Sequence, residues 1–436
     1  MRNRTLRRSL HLRARRIWLP KLRRRSLFLL GGLATGAAAV TMAVLADKAQ
    51  ILFFSAEHRW PLFPLLATPA GFALAVWLTR RFVSGAQGSG IPQVIAAHHM
   101  SNSDARGRLV SLRIGFAKVA LLMLGLAAGA SAGREGPTVQ VGAAIMFALG
   151  RFAPHRQPGL LLAGSAAGVA AAFNAPLAGI VFGIEEMSRS FEVRTSGLVV
   201  ATVIAAGLTS LAILGDYTYF GTTQVLLPFG RQWLAIPVAG VVGGLCGGLF
   251  GRILIAFAQG LRGGPGRWIA RWPVAFAALC GLAVALCGLP TEGSIFGTGY
   301  EQSKAILAGN ALPALFGPLK LLATAFSSIS GIPGGIFSPS LAVGAGIGYD
   351  LHSFLPGIPV GALAILCMAA YLAGVVQAPI TSFVIVGEMT ANHALVFPIM
   401  LSALIGFAIS RLICGEGVYH VLARPFLRSQ AREGTG

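Results

Sequence analysis

The sequence predicts an all-α polytopic membrane protein whose two halves are copies of one folding unit. Three observations predict it. The 436 residues are 55% hydrophobic and only 11% charged, where ordinary soluble domains carry roughly 25% charged residues. Apolar runs near the length of a membrane-spanning helix recur at 27–46, 61–79, 158–184, 197–215, 233–249, 358–374 and 395–410. None of them alternates polar with apolar as barrel strands do. Finally, one stretch of the first half lies on a stretch of the second at a fixed offset.

The chain opens on positive charge. The net charge is +21, and 11 of the 35 Lys and Arg residues fall in positions 1–25, with no acid among them. Basic flanks beside apolar spans mark the cytoplasmic side. Residues 1–26 therefore read as a cytoplasmic N-terminal segment rather than as a nucleic-acid-binding surface. A tail at 426–436 is placed on the same side by Arg424, Arg428 and Arg432. A basic stretch followed by an apolar one also fits a signal peptide, but this basic region is long for one, and later spans anchor the chain regardless.

Residues 27–425 form the transmembrane domain, with repeat halves at about 27–220 and 230–425. Residues 115–145, "GFAKVALLMLGLAAGASAGREGPTVQVGAAI", match residues 317–347, "GPLKLLATAFSSISGIPGGIFSPSLAVGAGI", at an offset of 202, with nine of 31 positions identical. The shared positions include Lys118/Lys320, Gly133/Gly335 and Pro137/Pro339. Then "AAFNAPLAGIVFGIEEM" (171–187) matches "GVVQAPITSFVIVGEM" (374–389), pairing Ala175-Pro176 with Ala378-Pro379 and Glu185 with Glu388 at an offset of 203. Long internal repeats with Gly/Pro-broken apolar segments at matching places are the mark of a transporter fold. The repeat alone leaves parallel and inverted halves both open. Glu185, Glu388, Lys118 and Lys320 read first as structural, the lysines by pairing with helix C-termini or by adding positive potential near a pathway. The cysteines (Cys246, Cys280, Cys287, Cys367, Cys414) sit in apolar segments at no metal-ligand spacing and read as small core residues.

Three glycine loops carry the chemistry. "GSGIP" spans Gly88 to Pro92 and includes Gly90. "GREGP" spans Gly133 to Pro137 and includes Gly136. "GIPGGIFSP" spans Gly331 to Pro339 and includes Gly334 and Gly335. Glycine admits close approach of the backbone to an ion, and proline near a helix start is tolerated because its missing N–H is not needed there. All three read as helix N-termini, which bind anions through open N–H groups and the helix dipole. Only 14 acids exist in the chain, too few and too scattered for a sodium or calcium cage. Glu135, inside the second loop, is an anion on a tether. It can occupy the site a mobile anion wants, and protonation would release it, linking proton to anion. An ion pair with the adjacent Arg134 is the structural alternative, although neighbours on a helix point apart.

These loops, together with "FNAPLAGIVFGIEEM" and "GEMT", resemble the anion-site signatures of the CLC family of chloride channels and chloride/proton antiporters. The resemblance covers about 27–425. It implies a CLC-type inverted repeat of tilted and broken helices, and a homodimer with one anion pathway per subunit. It also implies roles by position. Ser89 matches the serine that contacts the central anion, Ile336 and Phe337 the pair whose backbone N–H groups do so, and Tyr419 the tyrosine that completes the site. Glu135 matches the external gating glutamate and Glu186 the internal proton glutamate. For Tyr419 the plain alternative is an interface anchor. For Glu186 it is a solvated helix end, since Ser188 and Arg189 follow at once. The sequence departs from the pattern at Gln93, where relatives often carry an acid. It ends at Gly436, soon after Tyr419, which resembles prokaryotic members without CBS domains.

The expected function is secondary active exchange of chloride for protons. The partners are chloride, protons and the bilayer, and the expected location is the bacterial inner membrane. No cofactor is called for beyond the chloride carried as substrate, and no metal. A passive chloride channel is the alternative, since channels of the family usually lack the second acid. A fluoride exporter fits less well, because fluoride-type relatives depart at the positions of Ser89 and Tyr419; proline at the serine position would favour nitrate. An intramembrane hydrolase using Ser89 with His98 or His99 lacks any supporting motif. The two histidines border "SNSDARGR" and read as a solvated connection.

Overall fold

The computed structural model describes the backbone of residues 2–188, 193–215 and 217–433, and side chains within 25–188, 197–215 and 217–428. The first half comprises α1 (Arg2–Arg59), α2 (Phe63–Phe82), α3 (Ile91–His99), α4 (Ser103–Val110), α5 (Leu112–Ala127), α6 (Glu135–Gly150), α7 (Gln157–Phe173), α8 (Pro176–Phe182) and α9 (Val193–Leu214). The second comprises α10 (Ala235–Gln259), α11 (Gly264–Arg271), α12 (Pro273–Gly288), α13 (Tyr300–Leu307), α14 (Phe316–Ile329), α15 (Phe337–His352), α16 (Val360–Val376), α17 (Pro379–Thr390) and α18 (Val396–Ile413), with α19 (Val418–Glu433) closing the described chain. The tail beyond Glu433 and the side chains of the basic N-terminal segment before Arg25 lie outside the described residues.

The internal repeat is visible element by element. α6 and α15 each have 16 residues, and α7 and α16 each have 17. α7 stops at Asn174 (φ 50°) and α16 at Gln377 (φ 57°), both left-handed. Each stop precedes an alanine and then a proline at the start of the next helix, Pro176 or Pro379. A residue ahead of proline is pushed out of the helical region, so the break is written into both copies. Packing repeats as well: α7 lies against α1, α6 and α9, as α16 lies against α10, α15 and α18.

Contacts between the halves are reciprocal. Gly133 N donates to Gly335 O and Gly335 N to Gly133 O, both at 2.7 Å, in an antiparallel bridge. The Glu185 carboxylate accepts from Ile380 N (3.1 Å) and Thr381 N (2.6 Å) at the start of α17. Its repeat mate Glu388 accepts from Leu177 N (3.1 Å) and Ala178 N (2.7 Å) at the start of α8. A contact that maps onto itself when the partners exchange requires a two-fold relation. α6 and α15 therefore start head to head, as the two halves of an inverted repeat do.

Among the described residues, seven helices are long and apolar enough to cross a membrane. Two of these, Ser103–Ala127 and Pro273–Thr291, were not among the expected runs. Two expected spans need correction. The run 158–184 is two helices, α7 and α8, broken at Asn174-Ala175 ahead of Pro176. The run 358–374 is α16, buried at every residue from Gly361 to Val376; it is hydrophobic all round because protein surrounds it. The lysines are structural, as expected, but with other partners than helix C-termini. Lys118 Nζ donates to Gly88 O (2.7 Å) and Gln87 O (3.2 Å), and Lys320 Nζ to Ile295 O (2.7 Å) and Gly297 O (2.8 Å). They hold the carbonyls of glycine loops that precede helix starts, not helix C-termini.

The capping carboxylates generate a test. Replacing Glu185 or Glu388 by Gln removes a charge that favours a helix N-terminus, a loss of about 1–2 kcal/mol in partly buried geometry. Each variant should melt earlier in detergent, by similar amounts because the two roles are equivalent. A loss at only one of the two would contradict the reciprocal arrangement.

Candidate functional site

Three helix starts converge on one place. α3 begins behind Gly90, which caps it at φ 98°, a left-handed conformation that suits glycine. α6 begins at Glu135 and α15 at Phe337. The loops before them are laced together by the Gly133–Gly335 bridge and by Gly334 N donating to Gly88 O at 3.0 Å. None of the three starts has a capping side chain of its own. Their first N–H groups have no helical carbonyl to serve, and each start carries roughly half a positive charge. The sequence-expected residues Ser89, Ile336 and Phe337 all lie at these starts.

The carboxylate of Glu135 occupies the meeting point of α6 and α15. Oε1 accepts from Ser338 Oγ (2.5 Å) and Tyr219 OH (3.4 Å), and Oε2 from Ser338 N (3.4 Å) in the first turn of α15. Glu135 is fully buried. Its ion pair with Arg134 is loose: Arg134 Nε stands 3.9 Å from Oε1, while Arg134 Nη1 reaches Asp47 Oδ1 at 3.3 Å. The side chain points toward α15 as an anion at a helix N-terminus, with Arg134 turned mainly to a different acid.

Ser89 and Tyr419 lie beside it. A Cβ on Gly136 would fall 2.5 Å from Ser89 Oγ and 3.0 Å from Ser89 O, so only glycine lets the serine loop approach α6 this closely. The Tyr419 ring stacks on Phe337, with centroids 5.9 Å apart and planes at 27°. Its phenol faces Ser89 within electrostatic reach of both Glu135 and Glu186. The Ser89 and Tyr419 hydroxyls are buried and face each other, and among the described residues neither meets a further hydrogen-bond partner. Buried hydroxyls are rarely left so. Two such donors beside open helix starts are what a small anion requires.

Glu186 lies in a π-helical turn, Gly183–Ser188, that continues α8. It is 3% exposed, which corrects the solvated-helix-end alternative. His420 Nδ1 stands 3.2 Å from Glu186 Oε1. Because His420 follows Tyr419 on α19, one helix carries both the expected anion-site tyrosine and the partner of the second acid. His98 and His99 close α3. They lie about 10–12 Å along its axis from its start at Ile91, by the 1.5 Å rise per residue, so no pair with Ser89 forms there.

Three residues of this site were missed in the sequence. Ser338 stands inside "GIPGGIFSP", where the resemblance points only to the backbone of its neighbours. His420 adjoins Tyr419 and was legible as a second proton-binding group. Tyr219 comes from the connection between α9 and α10, which has no periodicity to place it. The structure also reveals a counterpart of "GSGIP" in the second half: "GTGYE", 297–301, whose Gly299 (φ 79°) starts α13 as Gly90 starts α3. There the Thr298 amide is taken by Gln50 Oε1 at 2.9 Å, so the second loop is filled by a side chain of α1.

Known proteins share this architecture. The voltage gated chloride channel family matches residues 71–411. The H(+)/Cl(-) exchange transporter ClcA of Yersinia pseudotuberculosis serotype IB (strain PB1/+) is 30% identical over 423 residues, covering 91% of this chain and 83% of the relative. A slow cyanobacterial Cl⁻/H⁺ antiporter superposes with a TM-score of 0.79 at 26% identity, covering 94% of this chain and 99% of the other. A CLC-type fluoride/proton antiporter superposes with a TM-score of 0.74 at 23% identity, over 91% and 96% of the two chains, and shares the fold. With the three glycine loops, the inverted repeat and a match over most of its length, the chain belongs to the voltage gated chloride channel family, the CLC family of integral membrane proteins.

Proposed function

We propose that the protein exchanges chloride for protons, with Glu135 as the gate and Glu186 as the proton group on the opposite side of the anion site. The observation that carries this reading is the Glu135 carboxylate at the start of α15, bonded to Ser338 N and Ser338 Oγ. A carboxylate there is the stand-in for a halide. Both want the same N–H groups and dipoles, so one excludes the other.

The cycle follows from that exclusion. Chloride arriving where the carboxylate meets Ser338 displaces it outward, while Ser89 Oγ, Tyr419 OH and the Ile336 and Phe337 amides hold a second chloride next to it. A displaced carboxylate loses its donors and takes a proton readily. The proton reaches Glu186 past Tyr419, whose phenol lies within electrostatic reach of both acids. His420, 3.2 Å from Glu186, is a second proton carrier at that end. Two acids on either side of one anion site favour exchange over passive conduction. The Ser89 and Tyr419 hydroxyls favour chloride over fluoride. The relatives named as chloride/proton exchangers support the same choice. The proposal includes a homodimer, both termini in the cytoplasm and residence in the bacterial inner membrane.

Purified protein in liposomes under a chloride gradient supplies the test. Chloride moving down its gradient should drive protons uphill; chloride flux with no proton movement would make the protein a channel. Glu135→Gln should bring proton movement to the background of empty liposomes while chloride still passes. Glu186→Val should leave chloride flux within about threefold of the parent and abolish proton movement, since only the proton limb depends on it. Proton pumping that survives in Glu135→Gln contradicts the gate.

A further inference from the structure

Two hydroxyls outside the anion-site set converge on the gate. Ser338 Oγ lies 2.5 Å from Glu135 Oε1, Tyr219 OH lies 3.4 Å from the same oxygen, and the two hydroxyls are 3.4 Å from each other. Both residues are buried. We propose that Ser338 and Tyr219 form a hydroxyl latch that sets how strongly the Glu135 carboxylate competes with the transported halide. The proposal deepens the exchanger reading and rests on it.

Proton counting supports the latch. Each hydroxyl has one proton to give. With Glu135 ionised, Ser338 donates to Oε1, and Tyr219 donates to Oε1 or to Ser338 Oγ, so every donor has an acceptor. Such charge-assisted bonds are about twice as strong as neutral ones. Protonating Glu135 adds a third O–H to the group and removes the charge, so the latch favours the ionised, seated carboxylate. The other charged or titratable groups facing this point are Arg134 with its partner Asp47, and Tyr217, Tyr300 and Tyr419.

Position makes the latch specific. Ser338 is the repeat mate of Gly136. The inverted repeat thus places a hydroxyl against the carboxylate in one half and bare backbone against Ser89 in the other. Tyr219 is held from several sides. Its ring meets Phe173 at 5.6 Å, Phe220 at 5.0 Å and Tyr300 at 4.9 Å, all edge-on. Phe220 N is bonded to Met389 O at 2.9 Å. A phenol on such a strut can hold a carboxylate without following it when it leaves. Both residues are positioning residues, acting on the anion through Glu135.

Chloride titration of the purified, detergent-solubilised protein by calorimetry tests this. Removing a competitor's hydrogen bonds strengthens the halide. Ser338→Ala should tighten chloride binding roughly tenfold, and Tyr219→Phe, with its longer bond, about threefold. In a Glu135→Gln background both substitutions should leave chloride affinity within about twofold, because the competing carboxylate is gone. A purely structural role would act equally in both backgrounds. Equal effects in the two backgrounds, or no effect of either substitution on the parent, overturn the latch alone. Unchanged affinity in Glu135→Gln itself overturns the tethered-anion reading, and the latch with it.

Discussion

The pair of hydrogen bonds exchanged between Gly133 and Gly335 is the constraint on which the rest of the structure depends. It joins repeat-equivalent residues, so it lies on the two-fold relation between the halves. It brings the starts of α6 and α15 together. Irregular backbone is tolerated at membrane depth only where its polar groups are served by protein or line a cavity. The loops 128–134 and 330–336 meet that condition through this pair, through side chains of α14 and through bonds of their own. Ser131 N bonds to Ser327 Oγ at 3.1 Å, Ser131 Oγ to Thr324 Oγ1 at 2.9 Å, and Ile332 N to Ser330 Oγ at 3.3 Å. With these loop groups satisfied within the protein, the helix starts themselves stay open, as an anion site needs.

Charge is arranged around that geometry with little to spare. A carboxylate within a membrane costs about 2.5–3.5 kcal/mol on insertion scales. A hydrogen bond to a charged group returns about 1.5–3 kcal/mol. Glu135 accepts one short bond and two long ones, so cost and return are of the same size. The proposed gate needs this balance, because a group bound far more strongly than the halide would never yield. Lys118 and Lys320 show the opposite design. Each spends its buried ammonium on two carbonyls of a glycine loop, fixing the loop rather than moving. Glu185 and Glu388 are likewise committed, each to a pair of amides across the two-fold. Unlike these paired charges, Glu135 has no equivalent charge in the other half, where Phe337 stands at its position.

The repeat and the three glycine loops were legible because helix breaks demand particular residues, and Gly and Pro leave a readable trace in both copies. The offset of 202 that exposed them also hid something. The "GTGYE" loop is displaced from "GSGIP" by 209 residues, so a comparison at fixed offset passes over it. Hydropathy located most spans but could not tell α16, enclosed by protein, from a helix facing lipid, since both are apolar all round. Nor could it see that Asn174 would adopt a left-handed turn and split the run 158–184. Tyr219 had no signal, because its importance arises from where a long connection returns over the site. His420 had one, its place beside Tyr419, but the side on which it would meet Glu186 depends on α19 packing across α3.

The central claim is that a halide and the Glu135 carboxylate share one place at the converging helix starts. Anomalous diffraction from crystals grown in bromide tests it most directly. The account predicts bromide beside Ser89 Oγ and Tyr419 OH in the parent protein, and a second bromide in Glu135→Gln where the carboxylate had met Ser338. A Glu135→Gln crystal with no bromide near Ser338, or bromide there in the parent with Glu135 still seated, would contradict it.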